Sequence, residues 1–396
     1  MVKKRKNYSC DFETTTELDD CRVWAYGWME IGNKSNYKIG NNLDDFMKWM
    51  EKAQANIYFH NLKFDGSFIV NYLLKNGFTW DKDASKEKTF NTIVSHMGVW
   101  YMIDICWGYT KDNKKKHTRI YDSLKKLPFK VKQIARSFNL EIRKGDIDYR
   151  AKRPIGHEIT EEEYAYIKND IEIVADALKA QFDQGLTAMT SGSDSLDGFK
   201  SIISKKAFEK LFPILSRDAD LDIRYAYRGG FTWVNDRFQG KWIENGMVFD
   251  VNSLYPSQMY DRLLPFGMPV AFQGKYETNE DYPLHIQHVK CEFELKEGYI
   301  PTIQIKDPNW KHLFARNEYL KSSKGYSVDL YLTNIDLELI QEHYDIYNLE
   351  YIDGCMFRGR LGIFKQFIDK WIVIKNDPAN EGAIKQLAKL MLNSLY

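Results

Sequence analysis

Asp11 and Glu13 stand two residues apart in Cys10-Asp11-Phe12-Glu13-Thr14. On a strand, i and i+2 point to one face. Two carboxylates there repel unless a cation, a lysine or solvent takes up their charge. Taken alone, Asp-x-Glu is also what an exposed edge strand carries. Here Tyr8, Cys10 and Phe12 form an apolar opposite face. Asp65 lies in His60-Asn61-Leu62-Lys63-Phe64-Asp65-Gly66, a strand-to-helix junction, where a lone Asp also serves as a cap. Asp170 follows Tyr166 by four residues, so the two share a helix face. The plain alternative is a solvated pair among Glu161, Glu162, Glu163, Glu172 and Asp176. Each element is weak; the set is not. Four carboxylates make the oxygen-only site that hard divalent ions such as Mg2+ or Mn2+ prefer. Two ions ~3.5–4 Å apart activate water and stabilise the leaving 3′ oxygen of a phosphodiester. Tyr166 suits the orientation of that water. Lys144, in Lys144-Gly145-Asp146-Ile147-Asp148-Tyr149, suits the offsetting of phosphate charge.

The order D-x-E, N-x-x-F-D, Y-x-x-x-D resembles the 3′–5′ exonuclease domain of proofreading DNA polymerases, in its tyrosine subtype. The resemblance implies an RNase H-like α/β domain with two Mg2+ (or Mn2+) ions. It implies Asp11, Glu13, Asp65 and Asp170 as metal ligands and Tyr166 as the water-orienting residue. Thr14, Asn61, Phe64, Ser123 and Leu124 match positions that hold a single-stranded 3′ end. Ser123-Leu124 follows Tyr121-Asp122, which reads as a loop after a strand, where a hydroxyl reaches a phosphate.

A second constellation is Met247-Val248-Phe249-Asp250-Val251-Asn252-Ser253-Leu254-Tyr255-Pro256. It reads as an apolar strand ending in a carboxylate, then a helix with Pro256 in its first turn. A metal-binding Asp250 before backbone N–H groups that face a triphosphate suits nucleotidyl transfer. An ordinary strand–helix junction is the alternative. Upstream, the glycines of Tyr227-Arg228-Gly229-Gly230 allow close backbone approach to phosphate, or make a hairpin turn. Downstream, Lys385, Lys389 and Asn393 recur at i, i+4, i+8 on one helix face; Ile384, Leu387, Met391 and Leu395 occupy another as core. Two cations one turn apart grip a triphosphate, or form a solvated stripe.

These strings resemble motif A, the Y-x-G-G loop and motif B of family B DNA polymerases. The resemblance assigns Asp250 to catalytic metal and Tyr227, Arg228, Gly229 and Gly230 to DNA. It assigns Tyr255, Lys385, Lys389, Asn393 and Tyr396 to the nucleotide. The long connection between the motifs resembles the insertion of protein-primed family B polymerases, which contacts the terminal protein that serves as primer. The whole chain resembles the phi-29 phage type. Its implied partners are single-stranded 3′ ends, primer–template DNA, dNTPs and a terminal protein, in the cytoplasm of an infected bacterial host. Residues 306–316 carry nothing assignable.

The elements that must position these residues alternate in type. Residues 8–12, 22–31, 56–59, 99–106 and 119–121 read as strands. Asn42 caps a helix bearing Leu43, Phe46, Met47 and Met50. Residues 63–74 form a helix stopped by Gly77. Thr160 and Glu163 form a capping box whose helix runs to about residue 184. A turn-rich break at 190–195 marks a boundary. Beyond it, residues 225–234, 247–251, 289–295 and 330–333 read as strands and 336–342 as a helix. Residues 364–396 read as two helical pieces interrupted at 376–378. The expected fold class is α/β followed by α+β. The expected domains are an exonuclease domain at 1–190, the N-terminal part of a palm at 191–260, a terminal-protein-region-like insertion at 261–362 and truncated fingers at 363–396.

Composition bounds these readings. The chain has 396 residues, 56 Lys+Arg against 55 Asp+Glu, and a net charge of +1, which excludes a histone-like protein. The charge is segregated: residues 111–152 hold 14 basic and 5 acidic residues, and 329–353 hold 7 acidic and no basic ones. A basic stretch interleaved with aromatics suits strand tracking; a solvated helix face is the alternative. Five scattered cysteines signal neither a disulfide framework nor zinc, which fits a reducing compartment. Lys3-Lys4-Arg5-Lys6 leads into acidic residues, not an apolar segment, so no secretory signal is expected. No apolar run approaches the ~18 residues of a membrane helix, and no membrane partner is expected.

Motif B of the resembled family continues with Gly, whereas Tyr396 is the last residue here. The expectation is a chain competent as an exonuclease and incomplete as a polymerase, because Asp250 lacks a partner carboxylate. Half of a split polymerase completed by a separately encoded C-terminal half, a stand-alone exonuclease, and a non-enzymatic DNA-binding module are the competing readings.

Overall fold

Tyr8, Cys10 and Phe12 alternate with polar residues, and the strand they mark, β1 (Asn7–Thr14), lies inside the sheet of the first unit. The structure is a computed structural model that describes residues 5–17 and 19–396, so Lys3 and Lys4 lie outside the described residues. The chain divides into two compact units, Met1–Gly198 with Asp369–Tyr396, and Phe199–Ile368.

In the first unit β1 is followed by β2 (Val23–Glu30), β3 (Asn33–Gly40), α1 (Leu43–Ala53), β4 (Asn56–Phe59) and α2 (Leu62–Lys75). Then come β5 (Thr79–Trp80), β6 (Thr89–Val94), β7 (Trp100–Tyr109), β8 (Lys115–Asp122), α3 (Val131–Ser137) and α4 (Glu161–Asp183). The strands form one eight-stranded sheet in the order β3-β2-β1-β4-β8-β7-β6-β5. β1, β4 and β8 run parallel side by side. Their carboxyl ends therefore meet at one edge, where open sheets collect ligands.

Both faces are covered. Phe46 and Met50 of α1 and Leu62, Ile69 and Leu73 of α2 share a core with Tyr8, Cys10 and Phe12. The Phe12 ring lies 4.9 Å from those of Phe46 and Phe59, edge to face. On the other face Ile167 of α4 packs with Trp24 and Ala25, and Ile171 with Met29. Gly27 permits this approach, since a Cβ there would lie 2.7 Å from Ile167 Cγ2. The expected caps are present: Asn42 accepts from the Asp45 N–H at 3.2 Å, and Thr160 and Glu163 form the reciprocal box that opens α4.

The expected break at 190–195 is instead the start of a helix, α5 (Ser191–Ile203). Thr190 Oγ1 accepts the Ser193 N–H at 3.1 Å, so the Ser/Thr run caps where it was read as a linker. The first unit therefore continues to Gly198. Helices α6 (Lys205–Leu211), α7 (Arg217–Ala226) and α8 (Leu254–Asp261) follow in the second unit. Residues 225–234 and 247–251, read as strands, are not strands: α7 runs to Ala226, and 227–253 hold neither helix nor strand. Apolar residues alone do not make a strand. It needs a neighbour to satisfy its backbone groups, and among the described residues Met247–Phe249 have none and stay exposed.

The second unit is built on β9 (Leu264–Gln273), β10 (Leu284–Leu295), β11 (Val328–Thr333), α9 (Asn334–His343) and β12 (Tyr344–Arg360). The strands make an antiparallel sheet in the order β11-β10-β12-β9. Val289, Cys291, Phe293, Leu330, Leu332 and Tyr344 form its core. The unassigned 306–316 segment joins that core through Phe314, and Trp310 Nε1 donates to Asp329 at 3.3 Å. Two helices close the chain, α10 (Lys365–Asn376) and α11 (Ala383–Leu392). Leu387 and Met391 of α11 are buried as expected, with Leu390 and Leu392 besides, whereas Ile384 is half-buried and Leu395 lies half-buried past the end of the helix. The helix belongs to the first unit and contacts α4, and the Ser195 hydroxyl donates to the Met391 carbonyl at 3.2 Å.

Candidate functional site

β1 supplies two of the acids. Phe12 points into the aromatic core, so Asp11 and Glu13 take the other face, the one that α4 covers. The helical repeat brings Tyr166 and Asp170 onto that face, both buried. Carboxylate oxygens of Asp11, Glu13 and Asp170 lie within 4.8 Å of one another. Asp65 arrives from the opposite layer, in the first turn of α2, and does not cap it. That task falls to Asp122 at the end of β8. Its Oδ1 accepts from the N–H groups of Asn61 (3.0 Å), Leu62 (3.3 Å) and Leu124 (3.0 Å). Asp65 is thus left for the site, buried, with Oδ1 lacking a hydrogen-bond partner.

The electrostatics follow from this crowding. Burial raises the pKa of Asp11, Glu13 and Asp65, and like charge adds to it: Asp170 on Asp11, Asp11 and Asp170 on Glu13, Asp11 and Glu13 on Asp65. Burial also raises Asp170, against the pull of Lys144, whose ammonium forms an ion pair with it. For Lys144, burial lowers the pKa but the Asp170 carboxylate outweighs it. The Lys144 ammonium also lies 4.9 Å from the Tyr166 ring centroid. Asp170 Oδ1 is a second buried oxygen without a partner. Four converging carboxylates, two orphaned oxygens and one lysine fit a divalent cation in charge and in donor type.

The Tyr166 hydroxyl is fixed by Tyr149, oxygen to oxygen 2.6 Å. Burial, Asp170 and this bond push its pKa up, so it stays a phenol. Thr14 ends β1, half-buried, and Asn61 and Phe64 are exposed at the rim; Leu124 is half-buried. Ser123 departs from expectation. It sits in a 3-10 turn, Ser123–Lys125, wholly buried, with its hydroxyl donating to the Phe59 carbonyl at 3.0 Å and 3.1 Å from His60 Nδ1. The turn draws the hydroxyl inward, so it locks the β4–α2 junction and does not face solvent. Tyr149, His60 and Asp122 were missed from sequence. Each is a single polar residue whose partner is distant along the chain.

The other predicted residues are not gathered in this way. Asp250 is exposed in the irregular stretch before α8. α8 begins at Leu254, with Pro256 in its first turn as expected. Tyr255 is about half exposed, and a Cβ on Gly230 would lie 3.5 Å from its hydroxyl. Tyr227 and Gly229 are exposed, whereas Arg228 turns inward, where burial lowers its pKa and Asp336 raises it. Lys385, Lys389 and Asn393 share the exposed side of α11, and Tyr396 is exposed at 57%. Asp250 and Tyr255 belong to the second unit and these C-terminal residues to the first.

Comparison with known proteins is extensive. The family described as DNA polymerase type B, organellar and viral, matches residues 47–396. The DNA polymerase of Bacillus phage phi29 is 66% identical over 392 residues, covering 99% of this chain and 67% of that protein. The DNA polymerase of Streptococcus phage Cp-1 is 33% identical over 414 residues, covering 98% of this chain and 68% of the relative. The solved phi29 DNA polymerase complexed with single-stranded DNA matches with a TM-score of 0.93 at 64% identity, over 99% of this chain and 67% of that one. Its ternary complex with primer-template DNA and incoming nucleotide substrates matches with a TM-score of 0.89 at 65% identity, over 99% and 68%. The chain spans about two thirds of the length of these relatives.

Proposed function

Because the chain belongs to the organellar and viral type B DNA polymerases, in the phi29 phage type, we propose that its first unit is a 3′–5′ proofreading exonuclease acting on single-stranded DNA ends. The observation that carries this reading is the convergence of Asp11, Glu13 and Asp170, with Asp65 beside them, at the carboxyl ends of parallel strands. The sheet order, an antiparallel β3-β2-β1 flanked by parallel β4 and β8, supports an RNase H-like domain. The solved relative bound to single-stranded DNA supports the substrate.

Asp11, Glu13, Asp65 and Asp170 would hold Mg2+ or Mn2+, which when bound supplies Lewis acidity to the attacking water and the leaving oxygen. Tyr166, held by Tyr149, orients the water through its neutral hydroxyl. Water oxygen bonds to phosphorus, the bond to the 3′ oxygen breaks, and that oxygen takes up a proton. Lys144 offsets charge on the phosphate. Thr14, Asn61, Phe64 and Leu124 line the path of the frayed strand, and Ser123 keeps His60 and the Asn61 turn in place.

The second unit and α11 carry parts of a polymerisation apparatus that serves protein-primed viral replication in the host cytoplasm. Asp250 is its metal ligand, Tyr255 meets the sugar, and Lys385 and Lys389 meet the triphosphate. Asn393 and Tyr396 border the nascent base pair, and residues 227–230 touch DNA. Its partners are dNTPs, primer–template DNA and a terminal protein. No helix among the described residues is long and apolar enough to cross a membrane. Asp250 stands in an exposed, irregular stretch, whereas the exonuclease carboxylates are already gathered, and the activity expected of this chain is degradation of DNA without extension.

One assay tests both halves of the proposal: the chain with a labelled primer–template and Mg2+, with and without dNTPs. Shortening from the 3′ end, lost in an Asp11→Ala/Asp65→Ala variant, is the expected result. No shortening overturns the exonuclease, and extension above background overturns the incomplete polymerase.

A further inference from the structure

We infer that Arg153 is a positioning residue for the exonuclease site, acting through the segment that carries Lys144 and Tyr149; the inference rests on the exonuclease reading. Residues 141–160 hold neither helix nor strand. So long an irregular connection is uncommon in a compact unit and needs something to fix it. This one delivers two groups to the site, the Lys144 ammonium on Asp170 and the Tyr149 hydroxyl on Tyr166. Neither is anchored by regular structure.

Arg153 supplies the anchor. Its side chain is buried and uses all three guanidinium nitrogens. Nε donates to Glu163 Oε1 at 2.8 Å, which ties the segment to the first turn of α4. Nη2 donates to the Asp148 carbonyl at 2.9 Å and Nη1 to the Ala151 carbonyl at 3.2 Å. The Asp148 carbonyl belongs to the peptide that presents Tyr149. The guanidinium carbon lies 4.4 Å from the Trp24 ring centroid, over β2. The other oxygen of Glu163 accepts from His157 Nε2 at 2.8 Å and from the Thr160 N–H at 3.1 Å. One planar fork thus joins the two ends of the 148–151 turn, a sheet strand and the helix that bears Tyr166 and Asp170. A lysine keeps the charge but loses the fork. Midway along, at 150–154, the segment borders a hollow of about 340 Å3 shared with Thr15, Thr16, Glu17 and Asp20, so one side of it is open there.

The test compares full-length Arg153→Lys and Glu163→Gln with the parent chain on single-stranded DNA in Mg2+. Misplacement near 1 Å costs about 100-fold in rate, and the expected loss in kcat for Arg153→Lys is of that order, with KM little changed. The decisive arm places Arg153→Lys in a Lys144→Ala/Tyr149→Phe background. A residue that acts through those two loses most of its effect there, whereas a general structural role multiplies the loss unchanged and overturns the inference. A second readout needs no activity. Arg150 and Lys152 are exposed, and tryptic nicking after them in EDTA is expected to be several-fold faster in Arg153→Lys, at unchanged far-UV signal. Equal nicking and equal kcat also overturn it. An inactive parent chain refutes the exonuclease reading instead, and the nicking arm still decides whether Arg153 fixes the segment.

Discussion

Charge in the candidate site is unevenly answered. Lys144 answers Asp170, while Asp65 sits beside Asp11 and Glu13 with one oxygen unpartnered. These carboxylates strain one another, and relieving one of them is expected to stabilise the fold while disabling the proposed chemistry. In EDTA at pH 8, Asp65→Asn is expected to melt a few degrees above the parent. A metal at 100 times its Kd adds about 2.7 kcal/mol to the parent, and most of that gain is expected to vanish in the variant. Thermal melts with and without Mg2+ check both, and a variant that melts lower in EDTA refutes the strain. At this scale the sequence was legible wherever chemistry is written in adjacent residues: Asp11 with Glu13, Tyr166 with Asp170. Asp122 was not, because its three N–H partners follow from a junction between strands far apart in sequence. Ser123 was read as solvent-facing for the same reason, since nothing local shows that it turns toward the Phe59 carbonyl.

Helix α4 is the element on which the site depends most, for it carries Tyr166 and Asp170 and covers β1 and β2. Its height above the sheet is set by Gly27 against Ile167. Gly27→Val keeps a strand-compatible residue but forces the helix outward. Overpacking of this kind costs typically 1–3 kcal/mol. The expected outcome is a lower melting temperature together with reduced exonuclease kcat. An unchanged melt with full activity would mean that the contact does not position the helix. Elements with local signatures were legible: the Thr160–Glu163 box, the Asn42 cap, the alternation in β1. β9 and the long β12 were not, because pairing across the second sheet holds them and their own composition is mixed. The converse error was residues 247–251, apolar enough for a strand yet with no neighbour among the described residues.

For the whole molecule, the +1 charge is a cancellation and not a uniform surface. The basic 111–152 stretch is not one solvated helix: it runs through β8, the 123–125 turn, α3 and part of the irregular 141–160 segment. Lys115 and Arg119 lie against Asp104, Lys126 is buried on Asp194, and Lys144 lies on Asp170. In the acidic 329–353 stretch, Asp329 and Asp353 flank His288 at 3.2 and 3.1 Å. The two units have separate cores, and among the described residues the clustered carboxylates lie in the first. Calorimetry is expected to resolve a transition that moves upward with Mg2+ and one that does not. A common shift of both would show that the units unfold as one.

The first unit is also discontinuous along the chain, because α11 returns to it after the whole second unit. That order matters while the protein is being made. About 170 residues separate Gly198 from Asp369. At roughly 5–20 residues per second, synthesis of that stretch takes on the order of 10–35 s. Throughout that interval the newly made part of the first unit lacks the helix that covers part of α4. The nascent chain thus passes through a timed period of exposed apolar surface, and α11 brings it to an end.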